Sequence, residues 1–212
     1  MNRILLVDDH EIMRSGLKFF LNNIVAHYVI DEAWDGDSAF EKIKENEYQL
    51  IILDINMPGT DSFGLVSNIT TIKPGAKILI FSMNSEEVYA KRYLQLGAKG
   101  YINKTAPSIE LEKAVKAVLK NERYISPALN IVFNEEALGN NTNNPFENLS
   151  SREFEILQHL ITGESIGEIS NTFNLQSSTV GTYKARIFEK LQCKNLVEAI
   201  EMARVYYVSP KP

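Results

Sequence analysis

The stretch "RILLVDDHE", Arg3 to Glu11, places four apolar residues, Ile4 to Val7, directly before two adjacent carboxylates, Asp8 and Asp9. An unbroken apolar run of this length reads as a strand buried on both faces, as in a parallel sheet covered by helices. Two negative charges at the mouth of such a core repel each other, and each raises its neighbour's pKa. Their presence therefore asks for a physical reason. The pattern recurs down the chain. "LIILD" is a second buried strand ending in an acid, Asp54; "KILIFS" ends in Ser82; "GYIN" ends just before Lys104; and "YVIDEA" also reads as a strand. Between them lie segments with helical spacing, beginning with "EIMRSGLKFFLNN", where Ile12, Leu17, Phe20 and Leu21 share a face. "DSAFEKIKEN", "SFGLVSNITT" and "SEEVYAKRYLQL" follow, with Pro58 and Gly59 marking a loop and Gly97 a helix stop. In the last helix of this half Leu111, Val115, Val118 and Leu119 form one stripe. Strands alternating with helices predict an α/β fold, a doubly wound five-stranded parallel sheet.

Composition bounds the rest. A chain of 212 residues suits two domains. No apolar run approaches the roughly 20 residues needed to span a bilayer, and the start lacks the pattern of a secretory signal. The single cysteine, Cys193, excludes an internal disulfide framework and suits a reducing compartment. The expected location is cytoplasmic, with no membrane contact. A net charge of −5 gives no global signal for nucleic acid, so DNA binding would need a local cationic patch.

The second half differs in kind. "NIVFNEEALGNNTNNPFENLS" has weak periodicity and a polar centre, and reads as a linker. The sequon at Asn140 carries no meaning without a secretory route. Four helical faces follow: Phe154, Leu157, Leu160 and Ile161; Ile166, Ile169 and Phe173; Val180, Ile187 and Leu191; Leu196, Ile200 and Ala203. The expected domains are residues 1–122, a linker over 123–148, and a small all-α four-helix domain over 149–208.

Ligands of an open parallel sheet gather outside the carboxyl ends of its strands. Here that rim carries Asp8, Asp9, Asp54, Ser82 and Lys104. A hard divalent cation such as Mg²⁺ would relieve the repulsion of three carboxylates. A lysine on the same rim makes sense if a further anion arrives there, and Ser82 could donate to that anion. Taken singly these residues mean little. Asp8 or Asp9 alone is a helix cap, Asp54 a turn residue, Lys104 a surface charge and Tyr101 half-buried core. Their joint placement after hydrophobic strands carries the argument. His10, His27 and His159 are too scattered in sequence to suggest a metal site.

In this order "LLVDDHE", "LIILDINMPG", "ILIFS" and "LGAKGYINK" resemble the receiver domain of bacterial two-component response regulators, a CheY-like, flavodoxin-like fold, over about residues 1–120. The resemblance implies that Asp54 is the phosphoacceptor, taking its phosphoryl group from a phosphohistidine on a sensor histidine kinase. It implies that Asp8, Asp9, Asp54 and the backbone carbonyl of Asn56 hold Mg²⁺, and that Ser82 and Lys104 grip the phosphoryl oxygens. Ser82 and Tyr101 would form the switch. It also implies that the chain is no enzyme beyond its own phosphotransfer and dephosphorylation. Three positions depart from the family: Met83 where a small residue is usual, Ser62 where many relatives carry glycine, and Thr105 where proline often follows the lysine. Phosphatases of the haloacid dehalogenase type also place a nucleophilic aspartate after a buried strand. They need a second aspartate two residues on, where this chain has Asn56, and an amide cannot protonate a leaving group.

The features "LSSRE", Gly163, "IGEIS", "STV", "EKL" and "NLVEA" resemble the NarL/FixJ-type (LuxR-like) helix-turn-helix domain. That resemblance implies a third helix, about Ser178 to Leu191, lying in the major groove of promoter DNA; Ser177, just before it, is of a residue type that suits its N-cap. Ser178, Thr179, Thr182, Tyr183, Lys184 and Arg186 would face the DNA, with Lys190 toward a phosphate. Gly181, Tyr183 and Leu196 stand where relatives often carry basic residues or histidine. From Arg152 onward acids are as many as bases, yet Lys184, Arg186, Lys190 and Lys194 cluster. The expected function is a DNA-binding transcriptional regulator that forms homodimers on phosphorylation. The alternative is a phosphorylation-controlled protein-interaction adaptor whose helical domain leaves DNA alone; binding to a palindromic site separates the two.

Overall fold

The computed structural model describes residues 2–137 and 144–206. The expected linker centre at residues 139–143, with the Asn140 sequon, lies outside the described residues. The chain divides into two compact units, residues 1–130 and 131–212.

The first unit holds five strands: β1 (Asn2–Val7), β2 (Tyr28–Ala33), β3 (Leu50–Leu53), β4 (Ile78–Ser82) and β5 (Gly100–Asn103). Their order is β2-β1-β3-β4-β5, and each pairing is parallel. Ile4 to Val7 of β1 and all of β3 and β4 are buried, which fits a sheet covered on both sides. The helices are α1 (Glu11–Ile24), α2 (Gly36–Glu45), α3 (Ser62–Ile72), α4 (Glu86–Gln95) and α5 (Ser108–Leu119). On one side Leu17 and Leu21 of α1 and Ala114, Val115 and Val118 of α5 pack with Ile4, Leu6, Ile52 and Leu79 of the sheet. The order reverses between β1 and β3, so the ends of these two strands open the crevice where ligands of such sheets gather. Asp8 and Asp54 are the residues that follow them.

Local chemistry sets the helix starts. Asp35 and Ser38 form a capping box at α2, and Asp61 accepts the Gly64 N–H at 2.6 Å to start α3. Gly97, at φ 104°, ends α4 as the sequence predicts; a side chain there would be strained.

The stretch expected to be linker contains a helix, α6 (Pro127–Ala137), and a 3₁₀ turn at Pro145–Asn148. Its sequence periodicity is weak, and the helix starts on a local cap: Ser126 Oγ accepts the Leu129 N–H at 3.2 Å, and Pro127 takes the first helical position. The second unit continues with α7 (Ser151–Ile161), α8 (Ile166–Thr172), α9 (Ser177–Leu191) and α10 (Leu196–Val205). Phe154, Leu157, Leu160, Ile169, Val180, Ile187, Leu191 and Ala203 are buried as their spacing predicts. Ser150–Glu153 and Ser165–Glu168 form capping boxes at α7 and α8.

The expected N-cap of α9 needs correction. Ser177 is already its first helical residue, Gln176 occupies the cap position, and no side chain caps the helix. The Ser177 hydroxyl instead lies 3.2 Å from that of Ser170 in α8, which ties the two helices together.

Candidate functional site

The rim residues of the receiver-like unit converge. Asp8 and Asp54 are buried at the adjacent ends of β1 and β3, and the Lys104 ammonium, just past β5, lies between them. Lys104 Nζ donates to Asp8 Oδ2 at 2.6 Å and to Asp54 Oδ2 at 2.7 Å. The Asn56 N–H donates to Asp54 Oδ1 at 3.1 Å. Burial raises the Asp54 carboxyl above its ordinary pKa, and the Lys104 charge and hydrogen bonds recover only part of that cost. Burial also works against the charged form of Lys104, but the Asp54 and Asp8 charges outweigh it and raise its pKa. The lysine is therefore held as a cation against two buried acids.

Asp9 is less buried, yet its Oδ1 is shielded from solvent and receives no hydrogen bond; the His10 Nδ1 lies 2.9 Å away without hydrogen-bond geometry. Ligand atoms of Asp8, Asp9, His10 and Asp54 all fall within 4.8 Å of one another. An orphaned carboxylate oxygen beside two others is what a hard cation would complete, so the residues fit a metal. The three histidines are too scattered to form a metal site together, but the ring of His10 stands beside the acids.

Ser82 is fully buried, and its Oγ accepts the Asn84 N–H at 3.2 Å. Tyr101 is also fully buried and donates its hydroxyl to the Asn84 carbonyl at 3.1 Å. Burial pushes its phenol well above the ordinary value. The Asn56 and Asn84 side chains exchange two hydrogen bonds, at 2.9 and 3.2 Å, across the mouth of the site. Sequence reasoning passed over Asn84, Asn103 and Arg14, whose Nη1 donates to the Asp8 carbonyl at 2.6 Å. No periodicity marks Asn84 or Arg14, and Asn103, the last residue of β5, is overshadowed by the charged Lys104 that follows it.

The three departures each find a setting. Ser62 is buried and shares a hydrogen bond of 2.8 Å with the Tyr93 hydroxyl, while Phe63 stacks on the same ring at 4.3 Å. Thr105 donates its backbone N–H to Asn103 Oδ1 at 2.8 Å, a bond proline could not make. Met83 is 58% exposed.

In the helical unit Ser178, Thr179, Thr182, Tyr183 and Arg186 line one shallow depression of about 260 Å³ on α9. Lys184 sits beside them with its ammonium 5.6 Å from the Phe188 ring. Lys190 is placed differently from the expectation: it donates to Glu153 Oε2 at 2.6 Å, holding α9 to the start of α7. Glu153 also accepts the Ser150 N–H at 2.7 Å. Burial works against the charged carboxylate, but the Lys190 and Ser150 bonds outweigh it and hold Glu153 below its ordinary range.

Comparison with known proteins bears on both units. Residues 4–116 match the model of the response regulator receiver domain, and residues 147–203 that of the bacterial regulatory proteins of the luxR family. The chain is 36% identical over 209 residues to the oxygen regulatory protein NreC of Staphylococcus carnosus, covering 95% of this chain and 96% of that protein. It is 32% identical over 209 residues to the response regulator UvrY of Escherichia coli K12, covering 96% and 94%. Among solved structures it resembles RcsB of Salmonella enterica serovar Typhimurium bound to promoter rprA in the presence of phosphomimetic BeF3−. That match has a TM-score of 0.72 at 22% identity and covers 96% of this chain and 99% of the other.

Proposed function

This chain belongs to the response regulators that join a receiver domain to a LuxR-type DNA-binding domain, and we propose that Asp54 is the residue through which it is controlled. The observation that carries this reading is the buried Asp54 carboxylate with the Lys104 ammonium 2.7 Å from it. A carboxylate oxygen of Asp54 attacks the phosphorus of a phosphohistidine on a sensor histidine kinase. The P–N bond breaks, the imidazole leaves with its electron pair, and an acyl phosphate forms on Asp54. Lys104 stays cationic throughout and neutralises the incoming phosphoryl oxygens, while the Ser82 hydroxyl donates to one of them.

Asp8, Asp9 and Asp54, with the Asn56 carbonyl, would hold Mg²⁺, which supplies charge neutralisation at the transferring phosphoryl group when bound. The fit rests on the oxygen donor set and on the unsatisfied Asp9 Oδ1. No helix among the described residues is long and apolar enough to cross a membrane. The protein acts in the cytoplasm, with no catalytic turnover beyond its own phosphotransfer and dephosphorylation. The protein is a DNA-binding transcriptional regulator, and its α9 meets promoter DNA through the hydroxyl-rich face around Arg186, as homodimers formed on phosphorylation.

Intact-mass measurement after incubation with Mg²⁺ and a small-molecule phosphodonor tests the central assignment. Wild type gains one phosphoryl mass and Asp54→Asn gains none. Equal labelling of the two would refute it.

A further inference from the structure

One side chain joins the phosphoacceptor rim to the start of α6. Glu86, the first residue of α4, accepts the Asn103 N–H on Oε1 at 2.9 Å, one residue before Lys104. Its Oε2 accepts the hydroxyl hydrogen of Ser126. Ser126 is buried and caps α6: its Oγ accepts the Leu129 N–H at 3.2 Å and its carbonyl the Asn130 N–H at 3.0 Å. Just before it, Tyr124 pairs with Gly100 at the edge of β5 and donates its hydroxyl to Glu110 at 2.6 Å. The chain leaving the receiver is thus fastened to β5, and Glu86 holds its last fastening.

The short loop between Ser82 and Glu86 is tied to the same place. Asn103 Nδ2 donates to the carbonyls of Met83 at 3.2 Å and Asn84 at 2.9 Å. Asn84 in turn reaches Ser82, Asn56 and Tyr101. Any movement of Ser82 toward a group on Asp54 pulls on Asn84, hence on Asn103, whose N–H is the bond that orients Glu86. Covalent continuity adds a second pull, because only three residues separate Ser82 from Glu86.

We propose that Glu86 relays the occupancy of Asp54 to α6, releasing Ser126 when the rim closes on a phosphoryl group and so loosening the first turn of that helix. A buried serine hydroxyl deprived of its acceptor loses its fixed rotamer, and with it the cap on Leu129. The switch is a local hydrogen-bond exchange read out by a helix end, and no rigid-body change is needed within the receiver unit. The inference rests on the reading of Asp54 as phosphoacceptor.

Amide hydrogen exchange, measured by NMR on the full chain with Mg²⁺ and with or without beryllofluoride, tests it. In wild type beryllofluoride alters exchange at Asn84 and Asn103 and raises it about fivefold at Leu129 and Asn130, the scale of a lost N-cap. Glu86→Ala has the raised Leu129 and Asn130 exchange from the outset and no further response there, while the Asn84 amide, which does not touch Glu86, still responds. Glu86→Gln keeps one carbonyl acceptor and falls between the two. A full α6 response in Glu86→Ala, or rim amides that respond in wild type while Leu129 and Asn130 do not, overturns the relay. Rim amides that fail to respond in wild type overturn the phosphoacceptor reading, and the relay with it.

Discussion

Lys104 decides the character of the site at the scale of single residues. Its side chain is 5% exposed and its ammonium sits within 2.7 Å of two buried carboxylates, so its removal leaves two uncompensated charges in a dry place. Lys104→Met is therefore expected to lose about 3 kcal/mol of stability at neutral pH, the scale seen when one partner of a buried ion pair is deleted. The pH dependence follows from the sign of the shifts. A carboxyl whose pKa is raised on folding binds its proton more tightly in the folded state, so its cost is present at high pH. That cost fades as pH falls through the raised Asp54 value toward the ordinary 3.8. Lys104 is raised above 10.5, so its contribution in wild type is complete below that value and is lost as pH rises through its folded pKa. Urea unfolding of both proteins at pH 7 and pH 5 measures this. The deficit of Lys104→Met shrinks at pH 5; a deficit that does not change with pH would mean that lost packing, not charge, is its source.

Among the elements, α9 shows how framework and recognition divide one helix. Its inward residues Val180, Ile187 and Leu191 are buried, and Lys190 is bound to Glu153, which itself completes the capping box of α7. Glu153 thus holds two helices with one carboxylate. Glu153→Ala is expected to destabilise the helical domain by about 2 kcal/mol, the worth of a cap plus a charge-assisted bond. The Glu153 carboxyl is held below its ordinary 4.5, so its contribution is complete above that value and is lost as pH falls through the lowered folded value. Thermal melts at pH 7 and pH 3.5 give the check. The difference between wild type and variant should narrow at pH 3.5, and an equal difference at both would remove the carboxylate from the account.

For the molecule as a whole the charge arithmetic governs DNA binding. With Lys190 engaged by Glu153, Lys184 and Arg186 are the α9 cations that remain for phosphates. About two contacts per domain give a log–log salt slope near −2, and a pair of domains on a two-fold site near −4. So little charge makes a lone domain a weak binder, and linking two binding events supplies what one lacks. Beryllofluoride-treated protein is therefore expected to bind as a dimer with the steeper slope, and untreated protein weakly with the shallower one. Light scattering and salt titrations on the same samples decide it; tight binding by a persistent monomer would refute the dimer mechanism and leave the fold untouched.

The layout of this protein is legible in its sequence. Apolar runs such as Ile4–Val7 and Leu50–Leu53 report burial on two faces, and the 3.6-residue spacing of Leu111, Val115 and Val118 reports burial on one. Both signals are local and repeat along the chain. Polar residues placed just past such strands also mark the rim, because strand ends in a parallel sheet share an edge. Pairings between distant positions were not legible. Lys104 meets Asp8 and Asp54 across separations of 96 and 50 residues, and Lys190 meets Glu153 across 37. The helix α6 is hidden by its weak periodicity, although Ser126 and Pro127 mark a local start; what the sequence hides there is the Glu86 carboxylate, 40 positions away, that accepts the Ser126 hydroxyl. Periodicity records which side of an element faces water. Which charge a lysine neutralises, and which acceptor a capping serine's hydroxyl finds, depends on what the folded chain brings alongside, and that is set by the tertiary structure alone.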